Sequence, residues 1–211
     1  MGGWYSRWVF PRLLDWSMRQ AAFGPLRESV LAQASGEVLE IGFGTGANLP
    51  FYASHIRWVA AIDPNPGMVS LARPQISQQP RLAGRIHWIM ASGEALPFLT
   101  DSFDSVVSTM TLCSVPNISS AIQEIHRVLK PGGKFVFLEH GQSPDDSVRR
   151  WQEWLTPYWK HLGDGCHLNR PMARLIHAQS WTLLSLTNFY LPGVPKPFAY
   201  FYQGCAVKGM S

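Results

Sequence analysis

Between residues 37 and 139 the sequence alternates short runs typical of β-strands with stretches that have helical spacing. The predicted strands are residues 37–41, 57–62, 86–90, 104–109 and 134–139, and the predicted helices between them are residues 47–54, 66–78 and 118–129. Such alternation builds βαβ units, which give a parallel sheet with helices on both faces. Ligands of these sheets bind over the carboxyl ends of the strands, where the strand order reverses. We therefore expect functional residues just after the strands.

The segments on either side of this alternation have a different character. Residues 1–30 are amphipathic, with Trp8, Leu13 and Leu14 interleaved with arginines, and residues 147–211 are basic and aromatic. We predict a helical lid at residues 1–30 and a catalytic domain at residues 31–211, with a second lid inserted at about residues 142–180. Two apolar stretches, residues 181–191 and 198–207, flank a proline-rich turn and predict a C-terminal antiparallel hairpin.

Composition excludes several classes of protein. Charged residues make up only 15% of the chain, whereas about 25% is typical of soluble domains, so apolar side chains must line a cleft or a surface. No apolar run approaches the roughly 18–20 residues of a membrane-spanning helix, and the first residues lack a signal-peptide profile, so we expect a cytoplasmic protein. The basic residues form no run, which excludes a nucleic-acid partner and leaves only weak peripheral contact with anionic membranes.

The cysteines predict neither a disulfide framework nor a metal site. Cys113, Cys166 and Cys205 are few and widely separated, and no CxxC pair is present. Reduced thiols and no bound metal are therefore expected.

Residues 38–46 predict a strand that enters a glycine turn at the start of a helix. Gly42 and Gly44 permit the unusual backbone angles and close ligand approach of such a turn. Asp63 follows 21 residues after Gly42, where a carboxylate can accept the ribose hydroxyls of an adenosine. The pattern also fits a nicotinamide oxidoreductase, but Glu40 beside the turn would repel a pyrophosphate and suits a cationic ligand.

Three more segments follow in order: small residues at 91–98, an Asp-Ser-Phe-Asp stretch at 101–104, and His-Arg-Val-Leu-Lys-Pro-Gly-Gly within 125–134. With the glycine turn, they resemble the class I S-adenosylmethionine-dependent methyltransferases across residues 36–140. The resemblance implies a Rossmann-like α/β fold with a mostly parallel seven-stranded sheet. It also implies S-adenosyl-L-methionine as cofactor and S-adenosyl-L-homocysteine as product.

The resemblance assigns cofactor-binding residues by position. The amino acid part of the cofactor would contact Glu40, Gly42, Gly44, Gly46 and Asn48, and the ribose would contact Asp63. The adenine would lie between Pro64 and Met68 on one side and Ser92, Gly93 and Glu94 on the other. Ser92 departs from the Asp that many relatives carry. The sulfonium would lie over Thr109, Met110 and Thr111.

Segments 5–15, 108–115, 137–141 and 163–170 resemble a bacterial branch related to the alkyl thiol methyltransferases. This implies S-methylation of a small thiol or hydrogen sulfide. Phospholipid headgroup N-methylation and quinone C-methylation are alternatives because those enzymes share the central motifs. A non-catalytic protein that binds the adenosyl cofactor is a further alternative, from another functional class.

Methylating a thiol requires a thiolate nucleophile and favours a dry apolar pocket, because opposite charges disappear in the transition state. His140, near the end of the fifth predicted strand, is the candidate catalytic residue, as a base or as a thiolate stabiliser. The predicted acceptor-binding residues are Tyr5, Trp8, Cys113, Tyr158, Trp159, Cys166, His167 and Arg170. Structural alternatives are a hydrogen-bonding role for His140 at the strand end and apolar packing for the cysteines.

Overall fold

The computed structural model describes residues 3–82 and 84–210. In that part of the chain, seven strands form one sheet in the order β3-β2-β1-β4-β5-β7-β6. The strands are β1 (Glu37–Ile41), β2 (Trp58–Ile62), β3 (Ile86–Ile89), β4 (Phe103–Thr109), β5 (Leu129–His140), β6 (Trp181–Tyr190) and β7 (Tyr200–Lys208). Strands β1 to β5 pair in parallel, whereas β7 pairs antiparallel with β5 and β6. The predicted fold class and the C-terminal hairpin are confirmed.

Helices connect these strands and precede them. They are α1 (Phe10–Met18), α2 (Gly24–Leu31), α3 (Pro66–Ser77), α4 (Ile118–Val128), α5 (Asp146–Leu162), α6 (Met172–His177) and α7 (Lys196–Ala199). Asn65 and Asn117 cap α3 and α4, because their side chains accept the backbone N–H groups of Gly67 and Ser120. Across residues 3–82 and 84–210, no helix combines the length and the apolar sequence needed to cross a lipid bilayer.

The helix predicted at residues 47–54 is wrong. The structure has only a short 3₁₀ turn there, Leu49–Phe51. Pro50 lacks a backbone N–H, and the side chains of Asn48 and Tyr52 both turn inward to donate to the carboxylate of Glu40. These buried hydrogen bonds hold the segment as a tight turn below the glycine loop.

The sheet positions the site through its strand order. From β1 the chain builds β2 and β3 on one side and then crosses to β4 on the other, so the order reverses between β1 and β4. The central strands β1, β4 and β5 are buried on both faces, with Phe103, Phe135 and Phe137 among the largest enclosed side chains. Ligands of open α/β sheets bind at the point where the strand order reverses, which here lies between β1 and β4.

The predicted lid at residues 1–30 divides into two parts. Helix α2 packs against β5, and its residues Val30 and Leu31 are fully buried in the core. The π-helical turn Tyr5–Val9 and α1 instead pack against the start of α3. The covering element is therefore residues 5–18, while α2 belongs to the body of the domain.

Candidate active site

A cavity of about 730 Å³ lies over the carboxyl ends of the parallel strands. Its floor includes the end residues of four of them: Ile41, Ile62, Thr109 and His140. Residues of the N-terminal segment and of the turn before β7 line the remaining sides. Its volume is in the range typical of small-molecule sites.

The glycine turn after β1 forms one wall of the cavity. Gly42, Gly44 and Gly46 all have positive φ, at 70°, 56° and 83°. A Cβ on Gly42 would lie 2.1 Å from the Thr111 Oγ1 atom, so the turn can approach the neighbouring loop only with glycine. Gly46 closes the turn by donating its backbone N–H to the carbonyl of Phe43. It is not among the lining residues, and its contact with the cofactor stays a prediction.

Glu40 and Asn48 lie together at the base of this wall. The buried Glu40 carboxylate accepts from Asn48 Nδ2 at 2.9 Å and from the Tyr52 hydroxyl at 2.6 Å. Burial raises the pKa of Glu40 to about 7. Asn48 also donates to Thr109 Oγ1 at 2.9 Å, which links the ends of β1 and β4. The carboxylate retains further lone pairs for a ligand donor.

Arg27 is a cavity residue that the sequence analysis missed. Its guanidinium comes from α2, lines the cavity, and donates to the side chains of Asn48 and Thr109. Burial lowers the pKa of Arg27, and its Nε atom has no hydrogen-bond partner among the residues that the structure describes. In the sequence this arginine is indistinguishable from the exposed ones, since only packing of α2 on the sheet turns it inward.

Asp63, at the end of β2, faces the glycine turn. Its Oδ2 accepts the backbone N–H of Gly44 at 2.9 Å, and its Oδ1 accepts that of Asn65 at 2.8 Å. Burial raises the pKa of Asp63 to about 6. The carboxylate is thus held rigidly at the cavity wall, where it can accept hydroxyl donors of a ligand.

The loops after β2 and β3 and the start of α3 also line the cavity. They contribute Pro64, Met68, Ser92 and Gly93. Glu94 is not among the lining residues, and its contact with the cofactor stays a prediction. Its carboxylate accepts from Ser92 Oγ at 3.0 Å and from the Asn117 backbone N–H at 2.6 Å. Its role is to position the loop that carries Ser92.

Three residues meet at another part of the cavity wall: Cys113, His140 and Cys166. Their ligand atoms all lie within 4.8 Å of one another, and His140 Nε2 is 3.1 Å from Cys166 Sγ. A hydrogen bond from Cys166 and the nearby imidazole hold the pKa of Cys113 well below its usual range. Burial alone would lower the pKa of His140, but negative charge on Cys113 outweighs it and raises the pKa.

Glu139, which the sequence analysis did not select, supports this cluster. The carboxylate is buried and accepts from Ser108 Oγ and from the backbone N–H groups of Thr111 and Leu112. Burial raises the pKa of Glu139 to about 7. In the sequence, the signal for such a role was a glutamate in an otherwise apolar predicted strand. The hydrogen bonds of Glu139 hold the loop that contains Met110, at φ 58°, and leads to Cys113.

The N-terminal segment closes over the cavity and is tied down at several points. Thr45 Oγ1 donates to Asp15 Oδ1 at 2.6 Å, which joins the segment to the glycine turn. The Tyr5 hydroxyl donates to the Leu162 carbonyl at 2.8 Å, and Ser6 Oγ donates to Asp164 Oδ2 at 2.8 Å. These bonds join both predicted lids above the same space.

The structure brings only part of the predicted acceptor set to the cavity. Tyr5, Cys113, Trp159 and Cys166 line it. Trp8 and Tyr158 do not, and they are 46% and 64% exposed, because each lies on the outer face of its helical segment.

His167 and Arg170 are not among the residues that line the cavity, and their contact with the acceptor stays a prediction. The His167 backbone N–H donates to the Cys113 carbonyl at 2.9 Å, and the buried Arg170 guanidinium donates to the Val115 carbonyl. Both residues therefore stabilise the segment that contains Cys113 through hydrogen bonds to its backbone.

Of the predicted cofactor set, the lining includes Glu40, Gly42, Gly44, Asn48, Asp63, Pro64, Met68, Ser92, Gly93, Thr109, Met110 and Thr111. These residues come from the ends of β1 and β4, from the loops that follow β1, β2, β3 and β4, and from the first turn of α3. They form one continuous surface that ends at His140.

Comparison with known proteins gives three kinds of similarity. A family model described as a methyltransferase domain matches residues 39–137. The chain is 36% identical over 200 residues to the thiol S-methyltransferase TMT1B of Rattus norvegicus, covering 92% of this chain and 77% of that protein. It is 32% identical over 127 residues to the ubiquinone/menaquinone biosynthesis C-methyltransferase UbiE of Rubrivivax gelatinosus, covering 60% of this chain and 45% of that protein.

Solved structures share the fold. A SAM-dependent methyltransferase from Methanosarcina mazei has a TM-score of 0.67 at 22% sequence identity, covering 85% of this chain and 95% of that chain.

Proposed function

Because the chain belongs to the class I S-adenosylmethionine-dependent methyltransferases, we propose that it methylates the sulfur of a small thiol or of hydrogen sulfide. The observation that carries this proposal is the cluster of Cys113, His140 and Cys166 on the wall of the cofactor cavity. The match to TMT1B, a thiol S-methyltransferase, also supports it.

The buried polar groups of the cavity fit the cofactor. Glu40 is a carboxylate suited to the cofactor's ammonium group, and Asp63 is one suited to its ribose hydroxyls. Arg27 also lines the cavity, where its guanidinium is suited to the cofactor's carboxylate. A Cβ at Gly93 would lie 3.0 Å from Ile41 Cγ2, so glycine lets this loop lie close to the end of β1.

S-adenosylmethionine supplies an electrophilic methyl group, which a thiolate takes as the carbon–sulfonium bond breaks, giving a methyl sulfide and S-adenosylhomocysteine. The protein must therefore generate the thiolate and keep water away from it. His140 is suited to the first task, as the proton acceptor or as the group that stabilises the thiolate. The lid residues Tyr5, Phe10 and Leu14 are suited to the second, because they close the cavity with apolar surface.

We further propose that residues 5–18 and the inserted region at about 142–180 act together as the acceptor lid. They are joined by the hydrogen bonds from Tyr5 to Leu162 and from Ser6 to Asp164. Opening of this joint would admit the acceptor and release the product.

A quinone-type ring is the second candidate acceptor, supported by the similarity to UbiE. That similarity extends over 60% of the chain, whereas the similarity to TMT1B extends over 92%. The thiol is therefore the favoured acceptor.

The test is a product assay with purified protein, S-adenosylmethionine and a panel of acceptors: sulfide, methanethiol, larger alkyl thiols, a demethylated quinol and a phosphatidylethanolamine. We expect methylated sulfur products from the thiols, detected by mass spectrometry, and none from Asp63→Ala. Methylation of the quinol alone, or cofactor binding without any product, would refute the thiol assignment.

A further inference from the structure

The cluster of Cys113, His140 and Cys166 is assembled from three separate parts of the fold. Cys113 lies in the loop after β4, His140 is the last residue of β5, and Cys166 follows α5. One sulfur, one imidazole nitrogen and a second sulfur lie within 4.8 Å of one another. Cys113 belongs to the main hydrophobic core and Cys166 packs against it, so the cluster lies where the core meets the cavity.

The separations suit a tetrahedral metal ion. Zinc binds cysteine sulfur at about 2.3 Å and histidine nitrogen at about 2.0–2.1 Å, which places tetrahedral ligand atoms about 3.4–3.8 Å apart. His140 Nε2 and Cys166 Sγ are 3.1 Å apart, and the largest separation in the cluster is below 4.8 Å. Shifts of about 1 Å or less would therefore complete the coordination geometry.

The donor set is chemically selective. Two thiolates and one imidazole favour Zn²⁺ over Mg²⁺ or Ca²⁺, which prefer oxygen ligands. Three protein ligands with a fourth position left open are typical of catalytic rather than structural zinc sites. All three residues line the cavity, so an open position would face the space where the acceptor must bind.

Buried charges of both signs lie near the cluster. The Arg170 guanidinium favours thiolates, whereas the Glu139 carboxylate opposes them. Arg170 is buried, and its Nη1 atom has no hydrogen-bond partner within residues 3–82 and 84–210. A zinc ion with two thiolates is formally neutral, and an added acceptor thiolate gives a charge of −1, which complements a cationic sulfonium.

We propose that Cys113, His140 and Cys166 bind one Zn²⁺ ion, whose fourth position takes the acceptor thiol as a thiolate. The proposal rests on the thiol acceptor proposed above and specifies the role of His140, which stabilises the thiolate through the ion rather than accepting its proton. The acceptor's sulfur–hydrogen bond breaks as sulfur binds the metal, and the proton leaves to water. No oxidant or reductant is required.

Metal stoichiometry is the first test, and it does not depend on activity. The apoprotein, prepared with a chelator and a thiol reductant, is titrated with Zn²⁺, and bound metal is measured by mass spectrometry. We expect one ion per chain in the wild type. Loss of a ligand in Cys113→Ser, Cys166→Ser or His140→Ala should weaken binding more than about 100-fold, since even outer-shell changes at zinc sites cost 10–100-fold.

Cys205→Ser and His87→Gln are the matched controls. Cys205 packs in a separate core cluster, and His87 lies in the edge strand β3. Both variants should bind zinc as the wild type does. The wild-type titration stands even where a ligand variant fails to fold, and the absence of tight zinc binding by the folded wild type would overturn the proposal.

Cobalt replacement tests the open position. Thiolate ligands give Co²⁺ a charge-transfer absorption, and methanethiol binding to the metal should alter the visible spectrum of the cobalt protein. If the protein binds zinc but the spectrum of its cobalt form does not change when thiols are added, the proposed role of the metal in acceptor binding is refuted.

Activity measurements separate this proposal from the thiol function itself. Equal thiol methylation by metal-free and zinc-loaded protein would refute the role of zinc in methylation and leave the thiol function supported. Zinc binding with thiol coordination but no methylated thiol product would support the zinc site and refute the thiol function. A Cys113–Cys166 disulfide that persists in the presence of thiol reductant and blocks metal binding would also contradict the proposal.

Discussion

The Nε2 atom of His140 lies 3.1 Å from the sulfur of Cys166, which joins the end of β5 to the loop after α5. Cys113 from the loop after β4 completes the group. The glycine-turn wall of the same cavity instead carries the buried carboxylates of Glu40 and Asp63. One surface therefore suits a cationic nucleoside, and the other suits a soft, sulfur-containing acceptor.

Replacing His140 with Gln should lower kcat for thiol methylation by about 100-fold or more, the scale of a lost acid–base or thiolate-stabilising group. S-adenosylhomocysteine affinity, measured by calorimetry, should not change, because we propose that His140 acts on the acceptor and not on the cofactor. His87→Gln is the control. Normal turnover by His140→Gln would show that the histidine only stabilises the strand end.

Replacing Asp63 with Asn should weaken S-adenosylhomocysteine binding by about 10–100-fold, because hydrogen bonds to a charged group contribute about 1.5–3 kcal/mol. The substitution also disturbs the bonds from Gly44 and Asn65 that hold the turn. Calorimetric titration measures the effect, with the exposed Asp146→Asn as control. Unchanged affinity would rule out a ribose contact.

Replacing Arg27 with Met should separate ligand binding from stability. Removing a buried guanidinium relieves its desolvation cost, so we expect little change in melting temperature. Loss of a charge-assisted bond to the cofactor's carboxylate should weaken cofactor binding by about 10–100-fold. Arg150→Met, at an exposed site, is the control. A lower melting temperature with normal binding would indicate a structural role.

Replacing Gly67 with Ala should displace the N-terminal lid. The added Cβ would lie 2.1 Å from the Arg7 carbonyl oxygen, although alanine is otherwise favourable in a helix such as α3. We expect faster proteolysis of residues 5–18 and a higher KM for the acceptor. Gly209→Ala, with no atom within 4 Å of its Cβ, is the control. If Gly67→Ala resists the protease as the wild type does, the close contact between Gly67 and Arg7 does not hold the lid in place.

The pH dependence of stability should report the buried Glu40. Burial raises its pKa from 4.5 to about 7, so its contribution is fully present below about pH 4.5 and is lost as pH rises through about 7. Over this range the cofactor-free wild type should lose up to about 3 kcal/mol of unfolding free energy relative to Glu40→Gln. Urea unfolding at several pH values measures the difference. Parallel pH curves for the two proteins would exclude a raised pKa.

The sequence was sufficient for features that depend on local pattern. The alternation of strands and helices predicted the sheet, and β1 has the predicted bounds. Glycines before a helix start and Asp63 after the next strand predicted a turn and a carboxylate at one sheet edge. These signals are readable because backbone conformation and burial repeat with the period of each element.

Local pattern failed where a side chain's partner lies far along the chain. Residues 47–54 have helical spacing, yet the buried Glu40 draws Asn48 and Tyr52 into a turn. Arg27 is turned inward only because α2 packs on β5.

By itself, the sequence determined the α/β architecture, the glycine turn and the family resemblance, because these depend on residues close together in the chain. Only the tertiary structure decided which chemical groups meet. Cys113, His140 and Cys166 are separated by 27 and 26 residues, and no spacing rule predicts their contact. They converge because parallel strands end at one edge of the sheet and the region after α5 folds back over that edge.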